Sequence, residues 1–422
     1  MKRIKIGVIG VGGRGSGFAQ SFMQYPDLCE VAGLYDTNLA RVEAMAKING
    51  FENVPRFDKW SQFTKAAKYD LVIVTTSDDA HPECVCKALK AGYHVFCDKP
   101  LSNTAQGLID VMEAYDKADR MLLMGFNLRY HNMMRKMKEV AQRGELGDIK
   151  VGTCTHPETG IRYFRRWHKF RSRSGGLVIH KGCHQLDIMN WIIGSYPVEV
   201  YAQGDTAVFK GDRKVKGCHA CPDVLTCPFG WGLSYKGAQR LEQAYARAKQ
   251  PDGYACDYCP YADAEGLVPD FYLVTIRYAN GARASYNEIH FSGWHEASFN
   301  FFGDKAGLTA GQPGDPTVKR VDLLTGEKAT YTVDPGEGGH GGADPVMILD
   351  MIVSVMKQEP RLALPEAGCR SSAIGIAAMK SIDEGRPVRI EELVPLEYLS
   401  RKPDQPLVQH QIPEFLGRAS LR

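Results

Sequence analysis

Long apolar runs are missing from this chain of 422 residues, and none approaches the length that crosses a bilayer. A marked excess of one charge is missing too. Lys and Arg total 52 against 49 Asp and Glu, a formal net charge of +3, and no basic stripe offers itself to nucleic acid. Internal repeats and low-complexity tracts are absent. The start, Met1-Lys2-Arg3-Ile4, runs straight into strand-like sequence without an apolar leader or cleavage site, so a cytoplasmic location is expected. Cysteine is sparse, 12 in all, too few for a disulfide scaffold. What is present is ordinary for a globular protein: 44% apolar residues, 24% charged, and length enough for two domains.

The first ~125 residues alternate apolar strand-like runs with amphipathic stretches, the pattern of a parallel α/β sheet. Strands are expected at 4–9, 30–35, 70–75, 94–97 and 121–125, and helices at 17–24, 39–48, 82–91 and 104–117. Right-handed crossovers then give an open, doubly wound sheet. From about Lys150 longer strands follow, at 151–155, 198–203, 272–278, 282–289, 298–302 and 318–324, with hairpin-type Asn-Gly and Asp-Lys turns. These predict a six-stranded mixed or antiparallel sheet, with helices at 344–358 and 367–384. The expected division is a nucleotide domain over 1–127, an α+β substrate domain over 128–395 and a terminal arm over 396–422. A sheet that leaves one face without helices points to a homo-oligomer, dimer or tetramer.

Gly10-Val11-Gly12-Gly13-Arg14-Gly15 follows the first strand and opens the first helix. Gly10 permits a tight turn, Gly12 lets backbone approach a pyrophosphate, and Gly15 allows close helix–strand packing. The helix N-terminus presents N–H groups to the phosphates. Asp36 ends the second strand about 20 residues further on, where an acid binds the ribose hydroxyls and repels a 2′-phosphate. Thr37 and Asn38 follow it, neither a cation, so NAD is expected rather than NADP. Thr76, Ser77, Asp78, Asp79, Ala80 and His81 lie beyond the strand at 70–75, at an edge where open α/β sheets bind ligands. Asp98-Lys99-Pro100 follows the strand at 94–97; taken alone it is a surface turn.

Together these residues resemble the glucose–fructose oxidoreductase/inositol dehydrogenase (Gfo/Idh/MocA) family, which has Glu-Lys-Pro where this chain has Asp98-Lys99-Pro100. The segment from Gly175-Gly176 through Gly182-Cys183-His184 to Asp187 is similar to the family's Gly-Gly, acid, Gly-x-His, x-x-Asp signature. His340-Gly341-Gly342-Ala343-Asp344-Pro345 and Asn127-Leu128-Arg129-Tyr130 also match its pattern. The resemblance implies a Rossmann domain, a C-terminal domain with a large, mostly antiparallel open sheet, and NAD. Gly10, Gly12, Gly13, Arg14, Gly15, Asp36, Thr76, Asp78, His81, Asp98, Lys99 and Asn127 would contact the cofactor. Lys99 would hold the reacting hydroxyl and His184 would take its proton. The chain departs from the pattern at His180, where inositol dehydrogenase-like members carry aspartate, and Lys181 adds a cation beside it. Lys99, Lys181, His180 and His184 would favour a forming alkoxide. Tyr163, Arg165, Trp167 and His168, with Tyr130, are candidates to stack on a sugar ring and bind its hydroxyls.

Five cysteines crowd into an insertion at about 210–265: Cys218, Cys221, Cys227, Cys256 and Cys259. Cys-x-x-Cys pairs can share a soft cation, and a tetrahedral zinc takes four sulfurs. Some relatives have a Cys-x-x-Cys-Pro…Cys-Pro insertion that maps onto Cys218, Cys221, Cys227 and Cys256, while the two Cys-x-x-Cys knuckles select Cys218, Cys221, Cys256 and Cys259. A structural zinc is expected, with either set.

The activity these signals predict is NAD-dependent oxidation of a secondary ring hydroxyl of a sugar, glycoside or cyclitol, with C3 of a glucoside one target. A redox-neutral enzyme that cleaves glycosides by oxidation, elimination and re-reduction is the alternative. A non-catalytic NAD-binding scaffold is the third, and Lys99 with His184 speak against it.

Overall fold

The sheet that carries the glycine turn forms because its strands are continuous apolar runs, as parallel strands covered on both faces must be. The computed structural model describes residues 3–211, 217, 221–223, 226–227, 258–262, 266–334, 336, 341–361 and 363–401. Strands β1 (Ile4–Ile9), β2 (Cys29–Tyr35), β3 (Arg56–Phe57), β4 (Leu71–Val74), β5 (His94–Cys97) and β6 (Leu122–Met124) lie in the order β3-β2-β1-β4-β5-β6. Every pairing in it is parallel. All four side chains of β4 are fully buried, each contributing about 1.5–3 kcal/mol of apolar burial.

Helices α1 (Gly13–Phe22), α2 (Leu39–Asn49), α3 (Trp60–Ala66), α4 (His81–Lys90) and α5 (Ala105–Asp116) connect the strands. Local chemistry sets their ends. The Asn38 side chain accepts from the Arg41 N–H at the start of α2, and Thr104 accepts from the Gly107 N–H at the start of α5. The strand order reverses between β1 and β4, so a crevice opens beyond their C-terminal ends.

After α6 (Asn132–Gln142) the chain builds a second sheet from β7 (Ile149–Pro157), β8 (Pro197–Asp205), β9 (Phe271–Tyr278), β10 (Arg283–Ile289), β11 (Ser298–Gly303), β12 (Ala306–Ala310), β13 (Thr317–Asp322), β14 (Lys328–Thr332) and β15 (Val388–Arg389). Their order is β14-β13-β12-β11-β7-β10-β9-β8-β15, antiparallel except where β7 pairs with β10. This corrects the expected six strands to nine. The three additional strands are short, and β14 is never buried along its length, so none carries an apolar run.

Helix α7 (Cys183–Ile193) is buried along its whole length and packs with α9 (Pro365–Glu384) against one face of this sheet. On the other face Val151 lies opposite Phe302, in the same cross-strand row as Val321, with Leu273 on the same side, and all four are exposed. Helix α8 (Ala343–Lys357) returns to the first sheet: Met347, Ile348, Met351 and Ile352 share a core with Ile6, Val8, Phe18 and Phe22. No helix among the described residues is long and apolar enough to cross a membrane. Of the expected arm, residues 402–422 lie outside the described residues.

Candidate active site

Each strand of the first sheet from β1 to β6, apart from the short β3, delivers a candidate residue at its C-terminal end. Gly10 follows β1 with φ +86°, and a Cβ there would press on the Thr75–Thr76 backbone. Gly15 packs so closely that a Cβ would collide with the Gly10 carbonyl oxygen. The glycines are therefore demanded by geometry. Asp36, after β2, is buried; Oδ2 accepts the Val11 N–H (2.9 Å) and Oδ1 the Asn38 N–H (2.9 Å). A cleft of about 450 Å³ runs between them, lined by Gly10, Gly12, Asp36, Thr76, Trp60 and Trp167 among others. Glycine turn, helix N-terminus, ribose-side acid and flanking aromatic rings fit a dinucleotide.

Arg41 and Arg173 also line this cleft and were not anticipated. Arg41 lies 3.5 Å from Asp36. Arg173 reaches across from the second domain to Asp79 (3.2 Å) and to Ser77 Oγ (3.1 Å). Arg14 and Asn127 have protein partners that the sequence did not mark. Both donate to Asp344 at the start of α8 (3.1 Å each), and Arg14 also meets Asp98 at 3.4 Å. They fasten the start of α8 to the loops of the first sheet.

The signature segments meet beside the cleft. Lys99, half-buried, donates from Nζ to the His180 carbonyl oxygen (2.8 Å), across 81 residues of sequence. The His180 ring sits with Nδ1 2.8 Å from Asp78 Oδ2 and 3.1 Å from Oδ1. Burial pushes the Asp78 carboxyl up to about 7, against the opposing pull of His81 and Lys99. Burial, with Lys99 and Lys181 nearby, holds His180 well below the usual imidazole range. His81 has Nδ1 2.7 Å from the Pro100 carbonyl oxygen and Nε2 3.2 Å from that of Thr76, so it joins the two loops. His184, one turn beyond His180, lies edge-on to Phe126 with ring centroids 6.4 Å apart.

Around His180 stand the aromatic residues of the 163–168 segment: Tyr163 at 5.6 Å, Trp167 at 5.5 Å and His168 at 4.4 Å between ring centroids. His168 is buried and held well below the imidazole range by that burial, with His180 and Arg166 adding to it. Tyr130 and Arg165 are placed elsewhere. Tyr130 is buried in the core with α8, hydrogen-bonded to Asp350, and Arg165 is buried with its carbonyl accepting the Tyr258 N–H.

Lys181 lies 3.3 Å from Glu158, which also binds Arg162 at 2.7 Å. Burial alone would raise the Glu158 carboxyl, but Lys181 and Arg162 outweigh it and hold it below the usual range. Burial alone would likewise lower the Lys181 ammonium, but Tyr163 and Glu158 raise it. Behind this pair runs a polar chain the sequence reading missed. His156 Nδ1 faces the Tyr286 hydroxyl (3.0 Å), that hydroxyl donates to Glu288 (3.0 Å), and His290 Nε2 stands 2.8 Å from Glu288. His156 on β7, Glu288 on β10 and His290 just beyond β10 alternate with more exposed residues, and that alternation of polar side chains on a core face was the available signal.

The cysteine insertion reaches the same segment. Lys169, buried, donates to the Cys259 carbonyl oxygen (3.0 Å), and Phe170 bridges Leu267. Cys221, Cys227 and Cys259 are free thiols. Cys218 and Cys256 lie outside the described residues. Among the described residues no group of three or more His, Cys, Asp or Glu is placed to hold a metal, so the expected zinc gains no support.

Two family models match the chain. The oxidoreductase family's NAD-binding Rossmann fold covers residues 4–126, and the same family's C-terminal α/β domain covers residues 138–390. The oxidoreductase YteT of Bacillus subtilis is 28% identical over 399 residues, which is 87% of this chain and 93% of that protein. The myo-inositol 2-dehydrogenase of Thermotoga maritima is 25% identical over 394 residues, 93% of this chain and 100% of that one. A solved levoglucosan dehydrogenase in complex with NADH and levoglucosan has a TM-score of 0.71 at 16% identity, over 92% of this chain and 100% of its own, a likeness of fold.

Proposed function

The chain belongs to the Gfo/Idh/MocA oxidoreductase family, and from that premise we propose that it oxidises a secondary ring hydroxyl of a sugar, glycoside or cyclitol. One observation supports this above the rest: the hydrogen bond from Lys99 to the His180 carbonyl oxygen. It joins the lysine of the nucleotide domain to the histidine motif of the second domain at the edge of the dinucleotide cleft. When bound, NAD supplies the ring carbon that accepts hydride. Lys99 holds the reacting oxygen and stabilises its developing negative charge, and an imidazole of the 180–184 motif takes the hydroxyl proton. Tyr163, Trp167 and His168 offer ring faces to an apolar sugar face. Lys181, tied to Glu158, contributes charge at the site's edge and orders its floor. Gly10, Gly12, Gly13, Gly15, Asp36 and Thr76 hold the cofactor in this reading.

A panel of cyclitols and aldoses with NAD, followed at the absorbance of the reduced nicotinamide, tests it. At least one should be oxidised, and Lys99→Met should lower kcat by about 10²–10³-fold while NAD still binds. No oxidation of any member by a protein that binds NAD contradicts the proposal. A homo-oligomer formed through the exposed row of Val151, Phe302 and Val321 belongs to the same reading, and a monomeric mass by light scattering would contradict that part.

A further inference from the structure

The family pattern has an aspartate where this chain has His180, so the motif has lost an acid. The fold supplies one from another element. Asp78 leads the turn after β4, and both of its carboxylate oxygens face His180 Nδ1, at 2.8 and 3.1 Å. A carboxylate so placed fixes the ring tautomer, with the proton on Nδ1 and the lone pair on Nε2. The Asp78 side chain is 2% exposed and that of His180 12%, so the acid is sealed while the ring keeps an opening. The carbonyl of the same histidine holds Lys99. The Tyr163, Trp167 and His168 rings surround it. His184, buried, lies edge-on to Phe126.

We propose that His180, oriented by Asp78, is the base that accepts the substrate's hydroxyl proton. This rests on the dehydrogenase reading and assigns its proton. The secondary alcohol's C–H bond breaks with both electrons passing to bound NAD⁺, its O–H proton passes to His180 Nε2, and a ketone forms. NADH and one proton on the pair complete the balance. His180 touches the reacting hydroxyl and Asp78 is a positioning residue. His81, Lys99, Asp79 and Asp98 face Asp78, and Lys99, Lys181, His81, His290 and His168 face His180. Among them, the cations oppose an imidazolium, which makes a proton on the pair easy to release.

The sign of the pH effect follows. The pair titrates as a unit; with Asp78 pushed up to about 7, it is proton-poor and able to act as base above that value. Alcohol oxidation therefore declines as pH falls through about 7, and ketone reduction declines as pH rises through it.

The full chain is used for the test. Long-range nitrogen-15 spectra of the histidine rings at about pH 8.5, without turnover, should show His180 with its proton on Nδ1, and Asp78→Asn should shift that signal. A proton on Nε2 overturns the proposal. With NAD and an oxidisable polyol, His180→Gln should lower kcat by about 10²–10⁴-fold with NAD binding kept. Asp78→Asn should remove the ionisation near 7 from the kcat profile. Activity of His180→Gln within about threefold of the unaltered enzyme overturns it. So does a flat kcat profile of the unaltered enzyme between about pH 5.5 and 8.5, a result that needs no variant to fold. An unaltered enzyme that oxidises no polyol fails the dehydrogenase reading instead, and the ring spectra then decide the pair alone.

Discussion

A carboxyl buried as deeply as Asp78 costs the fold stability whenever it is charged. Its folded value of about 7 stands above the ordinary 3.8. The sign is that of a raised acid: the group favours the folded state fully below the ordinary carboxylate range and loses that contribution as pH rises through about 7. Asp78→Asn, which never ionises, should therefore raise Tm at about pH 8 and raise it much less at about pH 4.5. Thermal melts at the two pH values check this, and a lower Tm for the variant at the higher pH would contradict it. A residue kept against stability is what a working site leads one to expect. The sequence marked the loop holding Asp78 as a ligand edge, but not its partner. His180 lies 102 positions away, and no spacing rule spans that distance. The place of Asp36 at the end of β2 was legible because it is tied to a local strand–turn–helix pattern, whereas the bonds of Arg14 and Asn127 to Asp344 were not, because the tertiary fold sets that partner.

Helix α7 carries His184 and begins just after His180, and a buried ion pair anchors it. Arg129, from the turn after β6, meets Asp187 through two bonds of 2.7 Å, both groups buried. Trp191 lies under the guanidinium at 5.1 Å. Removing one partner of such a pair leaves the other charged and buried, at a cost of about 3–5 kcal/mol. Asp187→Asn should lower the unfolding free energy by that amount, read as a lower urea midpoint with an unchanged slope; a loss under about 1 kcal/mol would show the pair to be dispensable. The strands of the first sheet were legible to within a residue or two because buried parallel strands read as unbroken apolar runs. Strand β3, with two residues, and the thinly apolar β12, β14 and β15 were not, since their pairing is decided by neighbours far along the chain. Helix α6 was overlooked although Met134, Met137 and Val140 give it a buried stripe at helical spacing.

At the scale of the whole molecule the site is a seam. Lys99, Asp78 and the glycine turn come from the first sheet, His180 and the aromatic segment from the second half, and the chain then returns through α8 to pack on β1 and α1. Arg173 on Asp79, His180 on Asp78 and Lys99 on His180 cross that seam, while Arg14 and Asn127 on Asp344 hold the start of α8 to the first sheet. Dinucleotide cleft and candidate proton acceptor are thereby held against each other by polar contacts at several points, an arrangement suited to direct hydride transfer. The most direct measurement is the fate of the substrate's hydrogen. A cyclitol, sugar or glycoside deuterated at its ring carbons is incubated with NAD, and the reduced cofactor is isolated and weighed by mass spectrometry. Dehydrogenation predicts one deuterium in each reduced nicotinamide formed, matched by one ketone. Conversion of the substrate with no reduced cofactor released, its glycosidic bond cleaved, would contradict it and mark the chemistry as redox-neutral.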